Sequence, residues 1–138
     1  MINRVFVDSD MILDVALARQ PFVEASKVVL SLLENGRAVG FASSNSITNI
    51  YYVLRKAGGD QKAREFLLSL MTYLTVVPAD NNCVLNALKS EFGDFEDGVQ
   101  HFSAISHQCE CIVTRNVEDY KKSELNVYLP IEFLSTYE

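Results

Sequence analysis

Cysteine is scarce in this chain and poorly spaced for structural chemistry: Cys83, Cys109 and Cys111 are odd in number and include no Cys-x-x-Cys pair. A disulfide framework and a structural zinc site are therefore excluded, and the three read as buried thiols. No apolar run approaches the roughly 20 residues that a membrane span needs. Met1 to Arg4 lead straight into a strand and leave no room for a signal peptide. A cytoplasmic protein without a membrane partner is expected. Repeats, low-complexity tracts and linkers are absent, so the 138 residues are expected to form a single domain, 1–138, with a core of its own. There is neither a Gly-x-Ser-x-Gly nucleophile motif nor a Gly-rich phosphate loop. His101 and His107 stand six apart, do not form an i,i+4 metal pair, and read as solvated or satisfied structural residues.

Positive charge is also short. Twelve Lys and Arg face 18 Asp and Glu, a net charge of −6 that argues against a nucleic-acid partner, whose phosphates are normally met by basic side chains. The acids are not evenly spread. Six of them, Asp8, Asp10, Asp94, Glu96, Asp97 and Asp119, fall in segments that read as one site, and without them 12 acids balance 12 bases. The acidity then reports either a cation site or an ordinary acidic surface.

What is present is an alternation of two periodicities, in a composition ordinary for a soluble globular domain (49% hydrophobic, 22% charged). Arg4-Val5-Phe6-Val7 reads as a first strand that delivers Asp8 and Asp10 where its hydrophobicity stops, followed by the helical spacing of Met11 and Val15. Asp8 lies on the strand side of that junction, so Ser9 or Asp10 is the expected helix cap. From Pro21, the residues Phe22, Ala25, Val29, Leu32 and Leu33 make a helical stripe until Gly36. Val39-Gly40-Phe41-Ala42 reads as a second strand, and Ser43-Ser44 start a helix with Ile47, Ile50, Tyr51 and Leu54 on one face, closed by Gly58-Gly59. Asp60 is the expected cap of a helix carrying Ala63, Phe66, Leu67, Leu70 and Met71. A third strand, Leu74 to Val77, precedes a helix begun by Asp80 with Val84, Ala87 and Leu88. Gly93 to Gln100 places three acids at the start of a sixth helix, where the helix dipole favours one or two of them but mutual repulsion disfavours three without a cation. Cys111 to Thr114 is a fourth strand, Val127 to Leu129 a short fifth, and Ile131 to Leu134 a last helical turn. Strands separated by helices call for a parallel sheet covered on both faces, and sites in such sheets lie at the carboxyl ends of strands where strand order reverses.

Carboxylates gathered from several loops, without Cys or His at ligand spacing, suit hard cations, Mg²⁺ or Mn²⁺ above zinc. The chemistry is then water activated by metal. Arg55, Lys56, Lys62 and Arg64 around the Gly58-Gly59 turn read as a solvated rim. Arg115, with Lys121 and Lys122 beyond it, flanks the fourth strand's polar end and is the better candidate for phosphate contact.

Four stretches carry a resemblance: Val5 to Asp14, Ser46 to Arg55, Asp94 to Asp97, and Val113 to Asn116 with Asp119-Tyr120. Their order and spacing resemble the successive motifs of PIN domains, in particular single-domain bacterial VapC-type ribonucleases. The resemblance implies a three-layer α/β/α fold with a central parallel sheet of four to five strands, single-stranded RNA as substrate, Mg²⁺ or Mn²⁺, often a homodimer, and sometimes a small antitoxin partner. It assigns Asp8 as the first acid and Asp97 as the third, with Asp94 as an outer helper, Asn116 at the fourth position and Asp119 nearby. Ser9, Thr114 and Arg115 then fall beside them as substrate contacts. Asn49 departs from the pattern, standing where the family usually has a glutamate; an amide oxygen can meet a metal but supplies no charge and no base. Two other readings stay open: a PIN-like RNA- or partner-binding module that has lost cleavage, and a phosphatase of the haloacid-dehalogenase type, which would use Asp8 as nucleophile, Asp10 as acid/base, and Lys89 with Asp94.

Overall fold

The computed structural model describes residues 2–137. Strands β1 (Arg4–Val7), β2 (Val39–Ser43), β3 (Leu74–Val77), β4 (Cys111–Val113) and β5 (Asn126–Tyr128) form one sheet in the order β3-β2-β1-β4-β5, with every pairing parallel. Helices α1 (Ser9–Ala16) and α2 (Val23–Glu34) join β1 to β2, and α3 (Ser44–Gly58) and α4 (Asp60–Leu70) join β2 to β3. The return to β4 runs through α5 (Asn81–Lys89) and α6 (Phe95–Ser106), and a 3₁₀ turn at Val117–Tyr120 precedes β5 and α7 (Pro130–Ser135).

Because side chains alternate along a strand, each strand feeds both faces of the sheet. Val5, Val7, Cys111 and Val113 pack with Met11, Val29, Leu33 and Ile50 on one face, while Phe6, Phe41, Ile112 and Tyr120 pack with Ala104 on the other. Burial on both faces explains why these strands are continuous apolar runs. The expected three-layer arrangement is the observed one, with five strands.

Several details differ from the sequence reading. Helix α2 begins at Val23, not Pro21, and buries Val23, Ser26, Val29, Leu30 and Leu33, a stripe rotated by about one residue that leaves Phe22 exposed and Ala25 half-buried. Met71, Val84 and Leu88 also face outward, because Ala63, Leu67 and Leu70 on α4 and Cys83 and Ala87 on α5 supply the buried contacts. Gly59, at φ +94°, caps α4, and Asp60 instead bonds Tyr51 and Arg64 on the surface. Ser43 and Asp80 cap their helices as expected, accepting from the Ser46 and Cys83 N–H groups. All three cysteines are buried and free, and burial pushes the Cys109 and Cys111 thiols up to about 12.

Gly40 on β2 is closely covered by side chains from α2 and β3. A Cβ there would sit 2.7 Å from Leu33 Cδ1 and 2.8 Å from Leu74 Cδ1. Gly40→Val is expected to lower stability by about 1–3 kcal/mol through overpacking, read as a drop in the denaturation midpoint, and Leu33→Ala in the same chain should return part of that loss.

Candidate active site

The site is set by one register. Val7 lies opposite Val113, so β1 and β4 end together, and the Asp8 N–H donates to Val113 O at 3.0 Å. The next residues, Asp8 and Thr114, are thereby neighbours at the point where the chain leaves β1 toward β2 on one side and reaches β4 on the other. Asp8 Oδ2 accepts from Thr114 Oγ1 at 2.9 Å, and its Oδ1 accepts from the Ser9 N–H at 2.7 Å. Asp8, rather than Ser9 or Asp10, is therefore the cap of α1. One carboxylate both caps the helix and meets the fourth strand, which a reading of the local sequence could not separate.

Asp10, expected as a helix cap or as the acid/base of the phosphatase reading, is not the cap of α1. It accepts from the Asn116 side-chain amide, while its Oδ1 is buried with no hydrogen-bond partner among the described residues. Asn116 itself is fixed by its backbone N–H, which donates to Thr114 Oγ1 at 3.0 Å. Thr114 thus links Asp8 to the loop that holds Asn116.

Helix α6 brings the second group. Asp94 caps it, accepting from the Asp97 N–H at 3.0 Å, and the Asp97 carboxylate meets Tyr120 Oη at 3.4 Å. Tyr120 is fully buried and close enough to Asp8, Asp97 and Asp10 for all three charges to hold its hydroxyl protonated, with burial the larger cause. Tyr120 was read only as part of a motif; its place among the acids depends on the sheet order. Asp119 is exposed on the 3₁₀ turn and shares a cavity of about 340 Å³ with Asp94, Lys121 and Lys122.

The electrostatics are those of a group short of positive charge. Burial, then repulsion from Asp10, pushes Asp8 up to about 7 against the stabilising hydrogen bond from Thr114. Burial, then the charges of Asp94 and Asp119, pushes Asp97 up to about 6. Asp10 is raised by burial, with Arg115 opposing. Among the described residues no three Asp, Glu, His or Cys side chains already stand at ligand distance from one point. The donors are nonetheless all hard oxygens, one of them unpartnered and buried, and a divalent cation would relieve the repulsion that raises these acids.

Other candidates fall elsewhere. Asn49 is exposed on α3, where it opens onto a depression of about 500 Å³ with Phe95, Glu96 and Val99, beside the first turn of α6 but without a hydrogen bond to the acids. One turn earlier Ser46 Oγ donates to Gln100 Oε1 at 3.3 Å, tying the two helices together beneath it. Ser9 is half-buried and contributes its N–H to Asp8. Arg115 does not project freely, since its Nε donates to the buried Asp14 at 2.7 Å. Lys89 is exposed at the end of α5 and Asp94 caps a helix, so neither occupies the strand-following loop that the phosphatase reading requires. His101 is a satisfied core residue at Nε2, which accepts from the Glu124 N–H at 2.9 Å.

A parallel sheet with paired acids at its strand-order reversal defines the class, and the comparisons narrow it. Residues 4–118 match the model of the PIN domain, and the chain belongs to that family. It is 27% identical over 136 residues, 95% of this chain and 93% of the relative, to Ribonuclease VapC1 of Aquifex aeolicus. Its fold is similar to that of a toxin–antitoxin complex from Klebsiella pneumoniae (TM-score 0.70, 18% identity, covering 91% of this chain and 97% of the other). It is also similar to Mycobacterium tuberculosis VapC20, described as a sarcin–ricin loop cleaving toxin (TM-score 0.60, 16% identity, 78% and 86% covered).

Folding raises Asp8 and Asp97 above their ordinary value of 3.8, so it favours their protonated forms. The stabilisation they contribute is complete below that value and is lost as pH rises through about 6 and about 7. In metal-free protein, Asp8→Asn is expected to raise the melting temperature relative to wild type at pH 8 more than at pH 5, measured by thermal denaturation in a chelator.

Proposed function

We propose that this chain is a metal-dependent endoribonuclease that hydrolyses phosphodiester bonds in single-stranded RNA, acting as the toxin of a toxin–antitoxin pair. The observation that carries this reading is the convergence of Asp8, Asp10 and Asp97 at one end of β1 and β4 in a PIN domain, with Thr114 and Tyr120 donating into the group. The ribonuclease relative and the toxin–antitoxin neighbour give the substrate class and the partner class their support. A homodimer and a small antitoxin protein are the assemblies this reading expects.

In this mechanism Asp8, Asp10 and Asp97 would hold Mg²⁺ or Mn²⁺, with Asp94 and Asp119 outside them. When bound there, such an ion would supply an activated water and stabilisation of the leaving oxygen. Thr114 fixes the Asp8 carboxylate by its hydroxyl, and the Tyr120 hydroxyl turns Asp97 toward the same space. Asn116 holds Asp10 by its amide, and its backbone N–H ties the loop after β4 to Thr114. Lys121 and Lys122, exposed across the cavity from Asp94, offer the positive charge that a phosphate chain needs beside so many acids.

Pure protein incubated with single-stranded RNA and Mn²⁺ is expected to cleave it, with less activity in Mg²⁺, and Asp97→Asn should remove cleavage while leaving the fold intact. RNA binding without cleavage would select the binding-module reading, for which the amide at Asn49 is the motivating feature. Asn49→Glu is expected to enlarge the Mn²⁺-induced rise in melting temperature by adding a carboxylate beside the start of α6. An unchanged metal response in that variant would remove α3 from the cation site.

A further inference from the structure

Arg115 is held in a manner its surface position does not require. Asp14 on α1 is fully buried and accepts from Arg115 Nε at 2.7 Å, with Arg19 3.6 Å from the same carboxylate. The guanidinium lies over the Phe22 ring, 4.5 Å from its centroid. One edge and the flat side of the arginine are thus fixed, and among the described residues its two Nη groups have no hydrogen-bond partner. A buried carboxylate spent on a partly exposed arginine is costly unless it is paired. Its effect is to hold a donor fork in one place.

That fork lines a cavity of about 250 Å³ whose other walls are apolar, among them Phe22, Leu129 and Ile131. Phe22 is 40% exposed and Ile131 67% exposed. The cavity adjoins the candidate active site through Arg115, whose own charge acts on Asp10 and which directly precedes Asn116, whose amide bonds Asp10. An apolar cavity with a fixed guanidinium in its wall suits an object that is apolar on its faces and carries acceptors on one edge. An unpaired nucleobase is such an object.

Resting on the nuclease reading, the geometry points to a subsite in which Phe22, Ile131 and Arg115 hold one unpaired base of the RNA beside the scissile phosphate, with a preference for guanine. Guanine presents O6 and N7 as two adjacent acceptors, which match two donors of one guanidinium. Adenine offers only N7 as an acceptor at the same edge, beside an amino donor that the arginine would repel. Uracil has no two adjacent acceptors, and cytosine, whose O2 and N3 form such a pair, has only a single small ring to cover the apolar walls.

The test separates this subsite from catalysis. In an Asp97→Asn background with Mn²⁺, the affinity for a fluorescent ten-residue oligouridine is compared with that for the same strand carrying one central guanosine, by fluorescence anisotropy. The guanosine strand is expected to bind about tenfold tighter, the scale of one stacked and hydrogen-bonded base. Phe22→Ala and Ile131→Ser, both at exposed positions, should each weaken the guanosine strand and leave the oligouridine little changed. Arg115→Lys, which keeps a charge for Asp14 but loses the fork, should erase the preference. Equal affinity for the two strands, or guanosine binding indifferent to Phe22→Ala and Ile131→Ser, would overturn the subsite. So would a Phe22→Ala variant whose oligomeric state shifts while RNA affinity holds, which would make this face a protein interface. In each case cleavage by the wild-type chain tells whether the nuclease reading survives on its own.

Discussion

The parallel pairing of β1 with β4 is the constraint on which the rest depends. Among the described residues it is the only pairing that joins the first strand to a strand more than 100 residues later, and its register, Val7 against Val113, decides that Asp8 and Thr114 meet. A shift of one residue would turn Val5 and Val7 to the opposite face, exchanging the packing of both cores, so the register is held by burial on two sides at once. The acids cost energy to gather. The apolar sheet beneath them supplies the rigidity that keeps them gathered.

Around this point the chain distributes its polar groups by distance from the sheet. Nearest are the strand-end pair, Asp8 and Thr114, and the buried hydroxyl of Tyr120. Farther out come Asp10 with Asn116, and Asp97 with its helix cap Asp94. The cations sit at the edge of the group: Arg115 is bonded to Asp14 and stacked on Phe22 and reaches Asp10 only through its charge, while Lys121 and Lys122 are exposed at the rim. Burial first, and then the repulsion of neighbouring carboxylates, raises Asp8 and Asp97. The net charge of the chain, −6, is to a large extent this site.

Much of the fold was legible because strand and helix periods are local properties. Val5 to Val7, Leu74 to Val77 and the stripe on α3 need only neighbours in sequence to be recognised. The phase of α2 was not, because Phe22 belongs to Arg115, a partner 93 residues away, and its exposure cannot be told from burial by spacing. Asp8 was legible as a strand-end acid but not as a cap, since a single carboxylate with two oxygens can serve two neighbours at once. Asp14 and Tyr120 were hidden for the same reason as the strand order: their partners, Arg115 and Asp97, are brought to them only by the sheet. The resemblance located the acids in the chain, and the topology accounts for their meeting.

The central claim is that this acid group is a cation site held together by the β1–β4 register. Calorimetric titration of Mn²⁺ into the metal-free protein at pH 6, repeated in two buffers of different ionisation enthalpy, measures binding and proton release together. With Asp8 raised to about 7 and Asp97 to about 6, binding should expel protons from these carboxylates, and the release should shrink at pH 8 and in Asp8→Asn. No saturable binding, or binding without proton release at pH 6, would contradict the account.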